Sequence, residues 1–315
     1  MHYKFSSKKP HTHYIDVELV ITGLQDSVTI VNLPVWRPGR YELGNFAKNI
    51  KRFEVSDLNG NALPFSKKDK SSWIIENGSE QSFIISYSYY ANQPDAGACF
   101  CNEDQLYVNP VHCCLYVHDK IHDKHTVELN IPYGWNVATS LKRESGHTFC
   151  ASDFDELADS PFIASSTLKH FTYKYNSILF HVWIEGHYIP DADKLINDFM
   201  AFTKLQIDVM QHFPAEEYHF LIQALPFKFY HGVEHLKSTV LALGPAEKLN
   251  EKDYYKELLG VASHELFHVW NVKSIRPAEM MPYHFSKENY ASTGYVYEGV
   301  TTYYGDLFLR QIGRA

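Results

Sequence analysis

The sequence predicts an α+β protein with an all-β, sandwich-like N-terminal domain and a C-terminal half that combines strands with amphipathic helices. Short segments of alternating polarity run to about residue 165, whereas apolar residues at helical spacing become frequent after residue 190. The chain has 315 residues, of which 45% are hydrophobic, and that is enough for two domains with cores of their own. An acidic stretch at 151–161 indicates the boundary, which we place so that the domains are 1–165 and 166–315.

The N-terminal strands are predicted from alternation. Polar and apolar residues alternate over residues 14–21, 82–89 and 125–131, which is the period of a half-buried strand. The dipeptides Asn59-Gly60 and Asn77-Gly78 are typical of hairpin turns. Several short strands at regular spacing predict a sandwich or a similar β module.

One segment of this domain breaks the strand pattern. Residues 33–41 read Leu-Pro-Val-Trp-Arg-Pro-Gly-Arg-Tyr, with two prolines around a tryptophan. We interpret this segment as a packing loop at the domain edge, and direct contact with a substrate is the alternative.

The C-terminal half alternates between strands and helices. Strands are predicted at 179–184, 218–225 and 239–243, the last two flanking an irregular segment. Residues 190–213 form an amphipathic helix in this interpretation. A second helix over 251–270 is indicated by apolar positions at near-helical spacing, and the residues from Asn271 to Pro277 close it.

Bulk composition excludes several classes of protein. The net charge is −8 and the sequence has no cluster of Lys and Arg, so we expect no nucleic acid partner. No apolar run approaches the roughly 18 residues that span a bilayer, and we expect neither a membrane partner nor a signal peptide. Five cysteines in tight pairs do not form a disulfide framework, which favours the cytoplasm. Cys99 and Cys101 could bind a metal, but core or loop thiols are the preferred interpretation.

The most informative motif is His-Glu-Leu-Phe-His at residues 264–268. Positions i and i+4 of a helix share one face, so His264 and His268 can present two imidazoles to one metal ion. Glu265 lies beside them and could accept a proton from water on that metal, as in zinc hydrolases. Because the chain has 18 histidines, a helix with two solvated histidines is the alternative.

A catalytic zinc ion needs a third protein ligand and leaves its fourth position open. Glu298, in a second amphipathic segment at 295–304, is the candidate for that ligand. Thr302 follows it at i+4 and could orient it, and Tyr304 is a weaker candidate donor. For both residues ordinary helix packing is the alternative.

A further cluster, His231-Gly-Val-Glu-His235, lies between two predicted strands. Glu234, beside Gly232, could pair with the free α-amino group of a peptide laid along a sheet edge. That pairing would make the protein an aminopeptidase. An exposed loop glutamate is the alternative, and the spacing leaves both open.

Together these motifs resemble the glycyl aminopeptidase family, gluzincin metallopeptidases that typically carry a PDZ domain. The matching segments span most of the chain and lie at 33–41, 229–239, 264–277 and 298–306. The resemblance implies a thermolysin-like catalytic domain after the β domain, zinc ligands His264, His268 and Glu298, and the base Glu265. It makes Glu234 the residue that recognises the substrate amine, with Gly232, His231 and His235 around it. His231 stands where the family usually has glycine, so we expect a narrower pocket there.

The resemblance implies a Zn²⁺-dependent aminopeptidase whose partners are peptides with a free N-terminus. A gluzincin endopeptidase and a peptide-binding scaffold without activity are the two alternatives. The chain stops soon after Glu298. We therefore expect that the rest of the catalytic domain, its oxyanion donor and a PDZ domain belong to a longer protein, and that this part alone is poorly active.

Overall fold

A computed structural model describes residues 1–40 and 42–314, and its N-terminal part is built from fourteen strands. Two short helices, α1 (Pro110–Cys113) and α2 (Phe154–Ala158), interrupt them. The strands are β1 (His2–Ser6), β2 (Tyr14–Ile21), β3 (Val28–Asn32), β4 (Ile50–Ser56), β5 (Phe65–Lys67), β6 (Ser72–Glu76), β7 (Phe83–Tyr90), β8 (Phe100–Cys101), β9 (Gln105–Val108), β10 (His125–Asn130), β11 (Asn136–Thr139), β12 (Lys142–Ser145), β13 (Thr148–Ala151) and β14 (Phe162–Ser165).

These strands form three sheets. The largest has the order β12-β13-β10-β1-β2-β7-β4, and two smaller sheets have the orders β11-β14-β9-β8 and β3-β6-β5. All neighbours are antiparallel except β1 and β10. Alternate residues of β2 are buried, as its sequence pattern predicts. The prediction of an all-β, sandwich-like N-terminal part is confirmed.

One predicted hairpin is wrong. Asn77-Gly78 connects β6 to β7, but β6 pairs with β3 and β5 whereas β7 pairs with β2 and β4, so the chain passes from one sheet to another. The buried Asn77 side chain donates hydrogen bonds to the carbonyls of Asp26 and Glu80, which fixes this corner. Asn59-Gly60 is a local turn, closed by a bridge between Ser56 and Ala62.

The C-terminal part has a mixed five-stranded sheet with helices on one face. Its elements are β15 (Lys169–Tyr175), β16 (Ile178–Gly186), α3 (Ala192–Met210), β17 (Glu217–Ala224), β18 (Phe229–Glu234), β19 (Ser238–Gly244), α4 (Lys252–Phe267) and α5 (Gly294–Gln311). The strand order is β15-β16-β17-β19-β18. Apolar side chains of α3, α4 and α5 share a core with alternate residues of this sheet. None of the described helices is long and apolar enough to cross a membrane.

Strand β18 lies in the segment that the sequence predicted to be irregular. It forms a hairpin with β19, with which it pairs antiparallel, and it is an edge of the sheet. Gly232 interrupts the alternation of polar and apolar side chains in β18, and the loop from β18 to β19 is short. The sequence pattern therefore did not indicate a strand here. The correction matters because β18 carries Glu234.

The segment between α4 and α5 is buried against the N-terminal sheets. Tyr283 and Phe285 belong to the same apolar core as the strands of the first part. The Tyr283 ring lies 5.4 Å from Trp36, and the Phe285 ring lies 5.2 Å from Phe154. The Val35 amide donates to the Phe285 carbonyl at 2.8 Å. The segment 33–41 therefore packs against the chain that leads into α5; its last residue, Tyr41, lies outside the described residues.

The cysteines lie in the N-terminal part as free thiols. Cys99, Cys101, Cys113 and Cys114 are buried, and Cys150 is partly buried. Burial raises the pKa of Cys99, so its thiol is protonated at neutral pH.

Candidate metal centre

Helix α4 presents His264 and His268 one turn apart, as their spacing predicts. The α-helix ends at Phe267, and a π-helical turn at Val269–Ser274 follows, in which Asn271 has non-helical dihedrals of −106° and 78°. The Asn271 carbonyl accepts a hydrogen bond of 2.8 Å from Nδ1 of His268. That bond places the proton on Nδ1 and leaves the Nε2 lone pair free, which is the arrangement of a metal-binding histidine.

Glu298 on α5 completes a triangle with the two imidazoles. The two Nε2 atoms lie 3.0 Å apart, and Oε2 of Glu298 lies 3.8 Å from His264 and 3.7 Å from His268. The circle through these three atoms has a radius of about 2.0 Å, close to the length of a zinc–nitrogen or zinc–oxygen bond. Two imidazoles and one carboxylate are also a donor set that zinc takes in hydrolases, so these residues fit a zinc ion.

The charge state of His264 suits this role. Burial, reinforced by the charge of His268, lowers the pKa of His264 to about 4. The imidazole is therefore neutral at pH 7, and a neutral imidazole is the form that binds a metal.

Glu265 is buried beside this triangle, and its Oε2 has no hydrogen-bond partner in the described part of the chain. Burial, together with the negative charges of Glu234 and Glu298, raises its pKa well above the usual range. Gly232 makes room for this carboxylate, because a Cβ at that position would overlap Oε1 of Glu265. A buried carboxylate with a raised pKa and an unpaired oxygen is suited to accept a proton.

Glu234, on the edge strand β18, also lies beside the triangle of metal ligands. It is buried, and one of its oxygens lies within 4.8 Å of ligand atoms of Glu265 and His268. Burial alone would favour its neutral form, but the charges of Lys273 and Arg37, and of His268 when that ring is protonated, lower the pKa of Glu234. Glu234 is thus an ionised carboxylate at neutral pH, held beside the triangle.

Two other groups of side chains could in principle hold a metal. The first, Glu234 with Glu265 and His268, overlaps the triangle. The second, His181 with Glu217 and His219, lies on β16 and β17. There Trp183 donates its indole N–H to Nδ1 of His219 at 3.2 Å, which leaves the proton on Nε2, the nitrogen that faces Glu217. The two imidazoles of this group lie 3.6 and 3.9 Å from the Glu217 carboxylate, and Glu217 is exposed, whereas the triangle on α4 and α5 is the group that also has a buried glutamate beside it.

Thr301, and not Thr302, lies where the sequence analysis expected a residue that orients the metal ligands. The Thr301 hydroxyl is buried and lies 3.4 Å from Nδ1 of His268, and it donates to the Asn271 carbonyl at 3.3 Å. Thr302 is exposed, because on α5 the i+3 position after Glu298 faces α4 and the i+4 position turns outward. Tyr304 stacks on Phe267 with its ring centroid at 5.4 Å, so it is part of the packing between the two helices.

The residues around Glu234 point in different directions, because successive side chains of a strand alternate. Gly232 and Glu234 face the triangle. His231 turns away, and its Nδ1 lies 3.5 Å from Asp95 of the N-terminal part. His235 is buried and its Nδ1 lies 3.0 Å from Asp159. The structure therefore brings Glu234 and Gly232 to the site, and it directs His231 and His235 toward the N-terminal part.

Sequence reasoning missed the buried contacts from the N-terminal part. Lys273, which follows α4, forms an ion pair of 2.8 Å with Asp159; the Lys273 side chain is buried and that of Asp159 is 17% exposed. The charge of Asp159 overcomes burial and raises the pKa of Lys273. Gly39, with φ of +72°, brings its backbone so close to Glu234 that a Cβ would lie 2.6 Å from Oε2. Asp159 lies 114 residues before Lys273 in sequence, and Gly39 lies in the N-terminal part far from Glu234, so no local pattern points to either contact.

Residues 2–166, more than half of the chain, match the family model of the peptidase M61 N-terminal domain. The chain belongs to the M61 peptidase family. Residues 257–315 match a second model of this family, M61 glycyl aminopeptidase. This match covers α4 from residue 257 onward, all of α5, and all four residues of the M61 chain that we discuss as metal ligands or base.

The M61 chain is also similar to solved structures. A crystal structure of an aminopeptidase N family protein from Idiomarina loihiensis superposes with a TM-score of 0.93 at 27% identity, over 100% of this chain and 55% of that one. The M61 chain thus spans little more than half of that protein. An M1 zinc metallopeptidase variant from Deinococcus radiodurans, bound to a Tyr-Ser-Ala substrate, has a TM-score of 0.51 at 16% identity over 99% of this chain and 71% of that one, which shows a shared fold. No curated protein sequence matches the chain.

Proposed function

We propose that this M61 chain carries the metal centre and the amine-recognition residue of a zinc aminopeptidase. The observation that carries the proposal is the position of Glu234. It is a buried, ionised carboxylate on an edge strand, within 4.8 Å of Glu265 and of His268. A carboxylate held in its ionised form beside the triangle is suited to bind the free amino group of a peptide that lies along β18.

His264, His268 and Glu298 would hold the zinc ion in this proposal. A bound zinc ion supplies a Lewis acid that polarises the scissile carbonyl and makes water more acidic. The chain's own contribution begins at Glu265, whose Oε2 accepts a proton from the attacking water and passes it to the leaving amine. Thr301 and Asn271 hold the imidazole of His268 in the tautomer that leaves Nε2 free.

Glu234 would bind the substrate's ammonium and so fix which peptide bond lies over the metal centre. The distance from the amine to the first carbonyl of a peptide is fixed by covalent geometry, so a carboxylate this close to Glu265 selects the N-terminal bond. Arg37, buried next to Glu234, and Gly39 belong to the N-terminal part, which would therefore shape the amine pocket.

The test compares peptides with free and with N-acetylated N-termini, using the full-length protein. Free peptides should be cleaved and acetylated ones should not. Glu234→Ala should raise KM for free peptides by roughly 30–150-fold, which corresponds to about 2–3 kcal/mol for a lost charged hydrogen bond, and should leave metal content unchanged. Glu257→Ala, which removes an exposed carboxylate from α4, is the matched control and should change neither. Equal cleavage of both peptides would favour the endopeptidase alternative.

A second prediction concerns the contact between Gly39 and Glu234. Gly39→Ala should raise KM for free peptides about tenfold, because the new methyl group displaces the Glu234 carboxylate. Gly60→Ala is the matched control: Gly60 also has a positive φ, of +87°, but a Cβ there meets nothing within 4 Å. Both substitutions should cost about 1 kcal/mol of stability through backbone strain. If both substitutions changed KM equally, the N-terminal part would not shape the amine pocket.

Two further predictions from the sequence remain proposals. We propose the division into domains 1–165 and 166–315, although 272–297 packs on the first part. We also propose the cytoplasm as the compartment, on the basis of the free cysteines.

A further inference from the structure

The face of β18 that points to the metal centre continues to an exposed tyrosine, Tyr230. Like Gly232, Tyr230 pairs with a leucine of β19 that belongs to the core shared with the helices. Val233, between Gly232 and Glu234, belongs to the core on the opposite face of the sheet. Because side chains alternate along a strand, Tyr230, Gly232 and Glu234 all point toward α4.

Strand β18 and helix α4 run antiparallel beside the metal centre. Glu234 lies beside His268, near the end of the helix, and the Tyr230 hydroxyl lies beside Gly260. Gly260 precedes the proposed metal ligand His264 by one turn, which is about 6 Å along the helix axis. Tyr230 therefore lies one helical turn past the metal centre, on the side away from Glu234.

Gly260 leaves open space in front of this tyrosine. It lies in the middle of α4, where glycine is a poor helix former, and it is partly accessible. Apart from the helix's own backbone, the nearest atom to a Cβ built at Gly260 is Oη of Tyr230, at 4.0 Å. No close packing requires glycine at this position, and the missing side chain leaves a depression in the surface of α4.

Tyr230 forms a wall of this depression and is free to contact a ligand. It is 56% exposed, and its ring neither stacks on another ring nor forms a hydrogen bond within residues 1–40 and 42–314. An exposed tyrosine ring offers a flat apolar surface, against which a second aromatic ring packs well.

The proposed function determines which part of a peptide reaches this depression, and the inference rests on that function. The amine of the peptide lies at Glu234, and its first carbonyl lies at Glu265 and the metal ligands. The chain after that carbonyl continues along β18 in the same direction, toward Tyr230. The Cα of the second residue lies roughly 2–3 Å beyond the carbonyl carbon, so an aromatic side chain of this residue can span the remaining distance to Gly260.

We propose that Tyr230 and Gly260 form the subsite for the second residue of the peptide and select an aromatic side chain there. The substrate ring lies in the space above Gly260 and packs against the ring of Tyr230. Glu234 thus recognises the N-terminus of the substrate, and Tyr230 recognises the residue that becomes the N-terminus of the leaving peptide.

The test measures dissociation constants of tripeptides by calorimetry, in full-length Glu265→Gln protein so that the peptides are not hydrolysed. Ala-Phe-Ala should bind at least tenfold more tightly than Ala-Ala-Ala. Tyr230→Ala should reduce this ratio to less than threefold, whereas Tyr230→Phe, which keeps the ring, should preserve it. Tyr133→Ala, which removes a fully exposed tyrosine of the N-terminal part, is the matched control and should also preserve it. An unchanged ratio in Tyr230→Ala would overturn the proposal.

Filling the depression separates recognition from structure. Gly260→Leu should also reduce the ratio to less than threefold, because the new side chain occupies the space of the substrate ring. The melting temperature should not fall, since leucine is a better helix former than glycine. A preserved ratio in this variant would contradict the assignment of Gly260. Tighter binding of Ala-Ala-Phe than of Ala-Phe-Ala would contradict the assignment of the second residue.

Failure of the subsite and failure of the proposed function give different results. Glu234→Ala should weaken binding of both tripeptides by the same factor and leave their ratio unchanged. If N-acetyl-Ala-Phe-Ala bound as tightly as the free peptide, the proposed function would be wrong. If acetylation weakened binding but Tyr230→Ala left the ratio unchanged, only the subsite would be wrong.

Discussion

Replacing Glu265 with Gln should lower kcat of the full-length protein by about 10²–10⁴-fold, the usual contribution of a general base. The amide keeps the shape of the side chain, so the neighbouring imidazoles and their metal should be unaffected. The buried Oε2 of Glu265 has no hydrogen-bond partner among residues 1–40 and 42–314, so it is free to accept a proton from the attacking water. The measurement is kcat together with metal content of the same preparation.

Glu257→Gln is the control for this experiment, because it makes the same chemical change on the exposed side of α4. Its kcat should stay within twofold of the unmodified protein. If the Glu265 variant turned over at a normal rate with its metal in place, Glu265 could not be the base, and Glu234 would have to be considered for that role.

The second large effect is expected for His268→Ala, which should abolish stoichiometric metal binding. His268 is buried, its Nε2 is one corner of the triangle, and its Nδ1 is held by Asn271. Removing one of three protein ligands leaves a pair that cannot enclose the ion. Metal content per chain, measured by mass spectrometry after dialysis, should fall from one to near zero.

His181→Ala is the informative control, because it damages the alternative cluster with Glu217 and His219. Metal content should not change in this variant. The reverse pattern, with metal lost on substitution of His181 and retained on substitution of His268, would move the metal site to the face of β16 and β17.

Features that depend only on neighbouring residues could be predicted from the sequence. The i, i+4 spacing of His264 and His268 needs only a helix, and α4 begins within one residue of its predicted start. Strand β2 has the predicted bounds, because one of its faces is buried and its alternation is clean. The strand that carries Glu234 was not predicted. Gly232 lies in close contact with the Glu265 carboxylate and has no side chain, so it breaks the pattern of alternating polar and apolar residues.

Contacts between residues that are distant in sequence could not be predicted. Asp159 and Lys273 are separated by 114 residues, and nothing near either residue indicates the other. The choice of Thr301 over Thr302 depends on which side of α5 meets α4, a property of the packed pair of helices. The turn at Asn77-Gly78 has the composition of a hairpin, but the partners of β6 and β7 lie elsewhere in the chain.

The burial of Tyr283 and Phe285 in the N-terminal core has a thermodynamic consequence for the proposed metal. Glu298 follows this segment on α5, so docking of the segment on the N-terminal core, together with the packing of α5 on α4, holds its carboxylate near His264. Docking of the segment and binding of the metal are therefore linked equilibria. Linkage is reciprocal: if the docked N-terminal sheets increase the affinity of the ligands for the metal ion, the bound ion stabilises the docked state by the same free energy. Substitutions deep in the β core that touch no ligand would then alter metal affinity, and selection for metal retention would act on residues of both halves of the chain.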